Sequence, residues 1–361
     1  MSIAQQLQRS HLAELEPYAS ARRSMIGGSV WLNANESPFV NDYQMDSSQL
    51  NRYPAFQSDE LNTRYANYAG VSPSQVLSCR GSDEAIDLLI RAFCEPARDE
   101  VIICPPTYGM YAISARTQGA GVNEIPLLPG NWQLDLKRLL PALKDSKLVF
   151  LCSPSNPLGN NLNSADIEQV LEHAEQTLVV LDEAYIEFCP DKTLTCWLKR
   201  FPNLVILRTL SKAFALAGAR CGFALADAEI IDVLKKVLAP YPLPDPTVQV
   251  ACQALAESGI EHLQQQVANL LDERQKLLKS LQQLGLNTVA KSATNFVLIQ
   301  VDNAERLVAA AAAQGILLRN QSAQKGLDNC VRISIGSADE NQQLLEFFNH
   351  FFSSSVNGDR L

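Results

Sequence analysis

SKAFALAGARCGF, residues Ser211–Phe223, sets one lysine between the end of an apolar run, Leu207–Thr209, and a loop of small residues. Ala213, Ala215, Ala217, Gly218 and Ala219 leave room for a backbone to approach a flat ring and an anion, and Arg220 follows them. A lysine that attacks an aldehyde must be partly deprotonated. A neighbouring cation such as Arg220, and a site that excludes water, both lower its pKa. Alone, Lys212 is more simply a surface residue, because lysines are almost never buried without a role. The preceding segments change that.

LDEAYIEF, Leu181–Phe188, lies upstream. Asp182 closes the apolar run TLVVLD, so its carboxylate falls at the carboxyl edge of a buried strand, where ligands bind in open α/β sheets. A carboxylate there is costly unless a cation meets it. A protonated pyridinium nitrogen is such a cation, and the pairing keeps the ring an electron sink. Tyr185 can aim its hydroxyl at a phenolate oxygen of the same ring. By itself the Asp could equally start a turn or cap a helix.

Three further segments follow strand-like runs. In SPSNPLGN, Ser153–Asn160, prolines flank Asn156 and hold it rigidly; one of the X–Pro bonds can be cis, and the amide can donate to the phenolate oxygen. In isolation it is a turn. CRGSDEAIDLLIRAF, Cys79–Phe93, is a strand, a glycine, then Ser82 and Asp83 opening an amphipathic helix. Free backbone N–H groups and the helix dipole there suit a phosphate. The Asp83 carboxylate would repel one, so its main chain is expected to serve, with the side chain capping the helix or turned away; a plain N-cap is the simpler alternative. CPPTYGMY, Cys104–Tyr111, offers Tyr108 to stack on an aromatic cofactor, though a lone aromatic is more often core. Five such segments after strands of one sheet make coincidence a poor explanation.

The strand candidates are Val76–Cys79, Val101–Cys104, Leu148–Cys152, Leu178–Leu181 and Val205–Arg208, short and without alternation, as expected of strands covered on both faces. Amphipathic stripes such as Ile86, Leu89, Ile90 and Phe93 lie between them. The βαβ series predicts an α/β fold with a mostly parallel central sheet sandwiched by helices. APYPLPDPT, Ala239–Thr247, reads as the link out of that sheet. A long helical stretch, about Val248–Leu284, comes next. Strand Phe296–Val301, helix Ala304–Gln314, strand Val331–Ile335 and helix Asp339–Phe352 then suggest a smaller α+β domain. The expected division is 1–35 joining the small domain, 36–246 as the large cofactor-binding domain, and 247–361 as the connecting helix and small C-terminal domain.

The 361 residues carry a net charge of -9, with 47% hydrophobic and 19% charged residues. An acidic chain without dense Lys/Arg runs has no general affinity for nucleic acid, so an anionic substrate needs cations gathered in a pocket. No run reaches the roughly 20 apolar residues of a membrane helix. The start, MSIAQQLQRSHLAEL, lacks the pattern of a signal peptide, and the cytoplasm is expected. Nine cysteines at irregular spacing and four histidines give no metal-binding pattern. Most of the cysteines read as small core residues.

With these segments assembled, the chain resembles the fold-type-I pyridoxal-phosphate enzymes of the class-II aminotransferase family, and among them the histidinol-phosphate aminotransferases. Nearly the whole chain carries the likeness: PYASARR (Pro17–Arg23), LNANESP (Leu32–Pro38), RYP (Arg52–Pro54), CPPTYGMY, SPSNPLG, LDEAYIEF, RTLSKAFALAGARCGF and VRISIG (Val331–Gly336). Ser82 stands where family members often have alanine. The resemblance implies pyridoxal 5'-phosphate as cofactor, with Lys212 bonded to its aldehyde and shuttling the proton. It implies Asp182 on the ring nitrogen, Asn156 and Tyr185 on the phenolate oxygen, and Tyr108 on the ring face. Ser82, Asp83, Ser211 and Arg220 would surround the phosphate, with Tyr53 reaching it from the other subunit of a homodimer. Arg332 would grip the substrate's anionic end, helped by Arg319 and Tyr18, with Asn35 in the substrate-side loop. The implied reaction is transamination between L-histidinol phosphate and 2-oxoglutarate, giving imidazole-acetol phosphate and L-glutamate in histidine biosynthesis. Threonine-phosphate decarboxylases, aromatic amino-acid aminotransferases and a non-catalytic pyridoxal-phosphate-binding regulator are the alternatives. No basic helix-turn-helix segment supports the last.

Overall fold

The computed structural model describes residues 2–13, 15, 16 and 27–358. Its strands are Val30–Trp31 (β1), Val76–Cys79 (β2), Glu100–Ile103 (β3), Gly121–Glu124 (β4), Leu148–Cys152 (β5) and Leu178–Asp182 (β6). They continue with Leu204–Thr209 (β7), Gly222–Ala226 (β8), Phe296–Gln300 (β9), Ile316–Leu317 (β10), Arg319–Asn320 (β11) and Cys330–Ser334 (β12). Seven form one sheet in the order β2-β8-β7-β6-β5-β3-β4. Strands β3 to β7 pair in parallel, and β8 runs antiparallel to both of its neighbours.

The run LVFLC of β5 shows why these segments are strands without alternation. Leu148, Phe150 and Cys152 pack toward the helices Ser82–Phe93, Met110–Gln118 and Ala228–Val237. Val149 and Leu151 pack on the opposite side with Tyr65 and Ala66 of the helix Asp59–Ala69 and Ile167 and Val170 of the helix Ser164–His173. Both faces are dry, so every position is apolar. The central strands end in register, with Cys152 opposite Asp182 and Asp182 opposite Leu207. The loops that leave β3, β5, β6 and β7 therefore open at one edge of the sheet.

Two strands of the seven-stranded sheet are additional to the sequence reading, as are the two-residue strands β1, β10 and β11. β4 has no buried residue, and β8, GFALA, looks in sequence like more of the small-residue loop before it. β8 is a strand because Gly222 lets it press against the start of the helix Ser82–Phe93. A Cβ at Gly222 would stand 2.4 Å from the Gly81 carbonyl carbon and from the Ser82 nitrogen. The stretch expected as one helix from about Val248 is two, Asp245–Ala254 and Glu257–Gln283. Gly259 lies so close to the Ala254 carbonyl that only glycine lets the second helix start there. The helix Asp245–Ala254 also begins inside the proline-rich link, with Pro246 in its first turn, where a missing N–H costs nothing.

After the long helix, β9, β12 and β11 form an antiparallel sheet, and Arg319 of β11 lies opposite Arg332 of β12. β1 pairs in parallel with β10, so the segment around Val30 meets this C-terminal part.

Gly222→Ala is expected to lower the unfolding free energy by about 1–3 kcal/mol through overpacking, measurable by denaturant unfolding, and to disturb the Gly81–Ser82 turn, so that any phosphate held there as the sequence suggests would bind more weakly. Wild-type behaviour in both would show that the contact relaxes freely.

Candidate active site

At that sheet edge lies a cavity of about 500 Å³. Asp182, Lys212, Tyr185, Asn156 and Tyr108 line it, as do Ser82, Asp83, Ser211 and Arg220, and Asn35, Arg319 and Arg332. Twelve of the fourteen residues singled out in the sequence thus face one space. Tyr53 does not: it is 80% exposed and stacks on Tyr241, ring centroids 4.3 Å apart. Tyr18 lies outside the described residues.

Asp182 ends β6 and is buried. Its Oδ1 accepts from the Ala184 N–H at 3.0 Å and its Oδ2 from the Tyr111 hydroxyl at 2.6 Å. Burial pushes its pKa up to about 6, against the lowering by those two donors. Holding the charge at neutral pH therefore costs on the order of 3 kcal/mol. With a folded pKa above the unfolded 3.8, the cost is absent at lower pH and complete above about 6. A cation entering the cavity removes it.

Lys212 follows the end of β7, and its Nζ donates to the Ala34 carbonyl at 2.9 Å. Burial first, then the charge of Arg332, brings its pKa down to about 8. The sequence pointed to Arg220 as the depressing cation; the larger charge effect comes from Arg332. Near physiological pH the amine is thus still mostly protonated, but a minor neutral fraction is present that is far larger than an ordinary lysine has.

Opposite the lysine, the Tyr185 hydroxyl accepts from Asn35 Nδ2 at 3.0 Å. Asn35 is fixed in turn: its N–H donates to Ser334 Oγ at 2.8 Å, its carbonyl accepts from Asn295, and its φ of 55° lies in the left-handed region. Because Tyr185 Oη already accepts, its own hydrogen is available to the cavity. The Asn156 side chain was expected to donate toward the cavity, and its Oδ1 accepts from Arg332 Nη1, which turns the amide N–H₂ away from that arginine. Arg332 also donates to the Asn33 carbonyl at 2.9 Å, so the guanidinium is braced from two sides.

At the end of the cavity where a phosphate was expected lies the turn Gly81–Ser82 at the start of a helix, with Ser211 and Arg220 beside it. Arg220 Nη1 donates to Ser211 Oγ at 3.3 Å. A Cβ on Gly81 would stand 2.7 Å from Arg220 Nη2, so the glycine is what lets the guanidinium lie over the turn. Asp83 departs from expectation. Its carboxylate neither caps the helix nor turns away: it accepts from the Tyr108 hydroxyl at 2.9 Å and from Arg220 Nη2 at 3.3 Å. Two donors at hand outweigh solvation for that side chain. Behind the site, Arg208 and Glu183 form a buried pair at 2.7 Å, with Glu187 3.6 Å from the same guanidinium, tying β7 to the turn that carries Tyr185.

Residues missed in the sequence also line the cavity: Glu36, Thr107, Cys152, Gln321 and Gln324. Gln324 bonds both to the Thr107 N–H, at 3.3 Å, and to its carbonyl, at 3.1 Å. The loop 321–327 has no strand or helix pattern to mark it, so only the fold brings it here. Among the described residues no His, Cys, Asp or Glu group could hold a metal ion, and no helix is long and apolar enough to cross a membrane.

Residues 29–348 match the family described as aminotransferase class I and II, and the chain belongs to that family. It is 61% identical over 357 residues to histidinol-phosphate aminotransferase 2 of Idiomarina loihiensis, covering 98% of this chain and all of that one. It is 49% identical over 348 residues to the histidinol-phosphate aminotransferase of Salmonella choleraesuis, 96% of each chain. The Sinorhizobium meliloti histidinol-phosphate aminotransferase, solved in complex with pyridoxal-5'-phosphate, shares the fold at 23% identity with a TM-score of 0.83, over 96% of this chain and 98% of that one. Within the aminotransferases, the chain groups with the histidinol-phosphate aminotransferases.

The enzymes of this family depend on pyridoxal 5'-phosphate, and the residues present fit that group. A buried carboxylate that carries its charge at a cost suits a ring N–H⁺. A lysine with a depressed pKa suits an aldehyde. A helix start with room made by two glycines, beside a serine and an arginine, suits a phosphate.

The rate at which the protein without cofactor captures pyridoxal 5'-phosphate is expected to rise with pH through about 8 and then level off. The growth of the visible absorbance band measures it. A rate still climbing toward pH 10.5, the value of an ordinary lysine, would show that Lys212 is not depressed.

Proposed function

We propose that this protein transfers the amino group of L-histidinol phosphate to 2-oxoglutarate, giving imidazole-acetol phosphate and L-glutamate in histidine biosynthesis, with pyridoxal 5'-phosphate as carrier. The observation that carries it is one cavity in which Lys212 and Asp182 face the same space as Arg332 and Arg319. When bound, the cofactor supplies an aldehyde that carries the amino group and a ring that takes up electron density from the substrate Cα.

The chain's residues do the rest. Lys212 would hold the cofactor between turnovers, and its Nζ would then carry the proton between the substrate Cα and the carbon of the cofactor's aldehyde. Asp182 keeps the ring nitrogen charged. Tyr185 and Asn156 donate to the phenolate oxygen, and Tyr108 walls one face of the ring. Ser82, the Asp83 main chain, Ser211 and Arg220 hold the phosphate. Arg332, with Arg319, Asn35 and Tyr18 beside it, grips the anionic end of either substrate, because a guanidinium fork accepts carboxylate and phosphate alike. One adaptable anion site explains how a phosphate-bearing donor and a dicarboxylate share a pocket.

The active form is a homodimer in the cytoplasm. Tyr53 and Tyr241 are exposed and stacked on each other, and Val40 and Leu50 are exposed apolar side chains of the segment that leads to Tyr53, features suited to contact with a second copy. That copy would bring its Tyr53 to this phosphate.

A donor screen of the loaded enzyme is expected to favour L-histidinol phosphate, with glutamate formed from 2-oxoglutarate. Release of CO2 from threonine phosphate, or a preference for phenylalanine or tyrosine, would replace the assignment. Arg332→Ala is expected to lower kcat/KM for histidinol phosphate and for glutamate alike, each by about 30-fold or more, given 2–3 kcal/mol for a hydrogen-bonded charge. Damage to only one substrate would mean two separate anion sites.

A further inference from the structure

We infer that Tyr111 is a positioning residue for the cofactor, its hydroxyl holding Asp182 as the ring nitrogen's counter-ion and its ring bracing Tyr108. The inference rests on the proposed cofactor chemistry of Asp182. Tyr111 does not line the cavity: it is fully buried behind it, in the first turn of the helix Met110–Gln118.

Three contacts define its place. Its ring stacks on Phe150 of β5, centroids 4.8 Å apart and 10° between planes. Its edge meets the Tyr108 ring at 5.7 Å and 87°. Its hydroxyl donates to Asp182 Oδ2 at 2.6 Å, a short distance of the kind found when the acceptor is charged. Phenylalanine would satisfy the two packing contacts, so packing gives no reason for a hydroxyl in this core. The hydroxyl finds its partner in a carboxylate that burial penalises. Donation to an ionised acceptor stabilises the charge, whereas a protonated Asp182 would need that oxygen for its own hydrogen. Tyr111 thereby favours the proton on the ring nitrogen over the proton on Asp182.

The other ionisable groups facing Asp182 do not substitute for it. Cys152 comes from the neighbouring strand, Asp83 from the helix Ser82–Phe93, Glu183 from the next position, and Tyr185 from the turn beyond; Asp83 and Glu183 both act to raise the carboxyl's pKa. The Ala184 N–H is the second described donor, to the other oxygen.

The test compares loaded wild type, Tyr111→Phe, Asp182→Asn and the double variant. Cofactor affinity is read from the visible band, and the rate at which glutamate bleaches the band is followed against pH. Tyr111→Phe is expected to weaken cofactor affinity about 10- to 100-fold, as for a hydrogen bond to a charged group. It is also expected to slow bleaching while leaving the glutamate KM within a few-fold, and to shift the acid limb of the pH profile upward. In the Asp182→Asn background the same change should do little more, because both act on one pair. Phe150→Leu, which loosens the stack and keeps the hydroxyl, should lower Tm without moving the limb. 3-Fluorotyrosine at position 111, a stronger donor, should move the limb downward. The inference is overturned if Tyr111→Phe binds cofactor and titrates as wild type does, if its effect and that of Asp182→Asn add fully, or if Phe150→Leu moves the limb equally. Absence of any visible band in wild type would instead remove the cofactor reading, and this role with it.

Discussion

The structure turns on an ionised carboxylate at the end of a buried strand. Asp182 is desolvated, and no described cation pairs with it. In the protein alone this is a penalty, softened by the Tyr111 hydroxyl and the Ala184 N–H. It becomes an asset when a ring N–H⁺ arrives, since the stabilisation released on pairing is then binding energy for that ring. The parallel sheet makes this possible by ending β5, β6 and β7 in register, so that Asp182, the Ser153–Asn160 loop and Lys212 emerge together.

The same space is tuned at the lysine. Burial and Arg332 act in the same direction on Lys212, which leaves it a usable nucleophile near neutral pH. Arg332 depresses the amine and, in the proposed reaction, would also grip an anion, while its bond to Asn156 joins β12 to the loop after β5. An incoming anion that draws on the guanidinium's charge would relax the lysine's pKa upward. In the proposed reaction, substrate arrival and the basicity of Lys212 would then be coupled through one side chain. An acidic protein of net charge -9 can attract anions only because such cations converge locally.

Close approach is the second economy of the fold. Gly81 and Gly222 let β8, Arg220 and a helix start crowd into one turn, where any Cβ would collide with backbone or guanidinium. Asp83 sits in that crowd as an internal partner for Arg220 and Tyr108. Its place reverses the expectation that a carboxylate would turn away from a phosphate-binding turn, because it is answered by the guanidinium that the turn exposes.

The sequence by itself determined the sheet and most of the pocket. Short continuous apolar runs that alternate with amphipathic stripes read as strands buried on both faces, and an Asp, Asn or Lys at or shortly after the end of such a run falls at the sheet edge. It did not show β4, whose residues are not buried, or β8, whose small residues look like loop until the helix they press against is known. It could not show that Tyr111 serves Asp182, that Gln324 bonds to Thr107, or that Asn156 faces Arg332, since these partners are separated by 71, 217 and 176 positions. Local pattern records whether a residue is buried and on which face of its element it lies. Which distant side chain completes its hydrogen bonds is decided only when strands and helices pack.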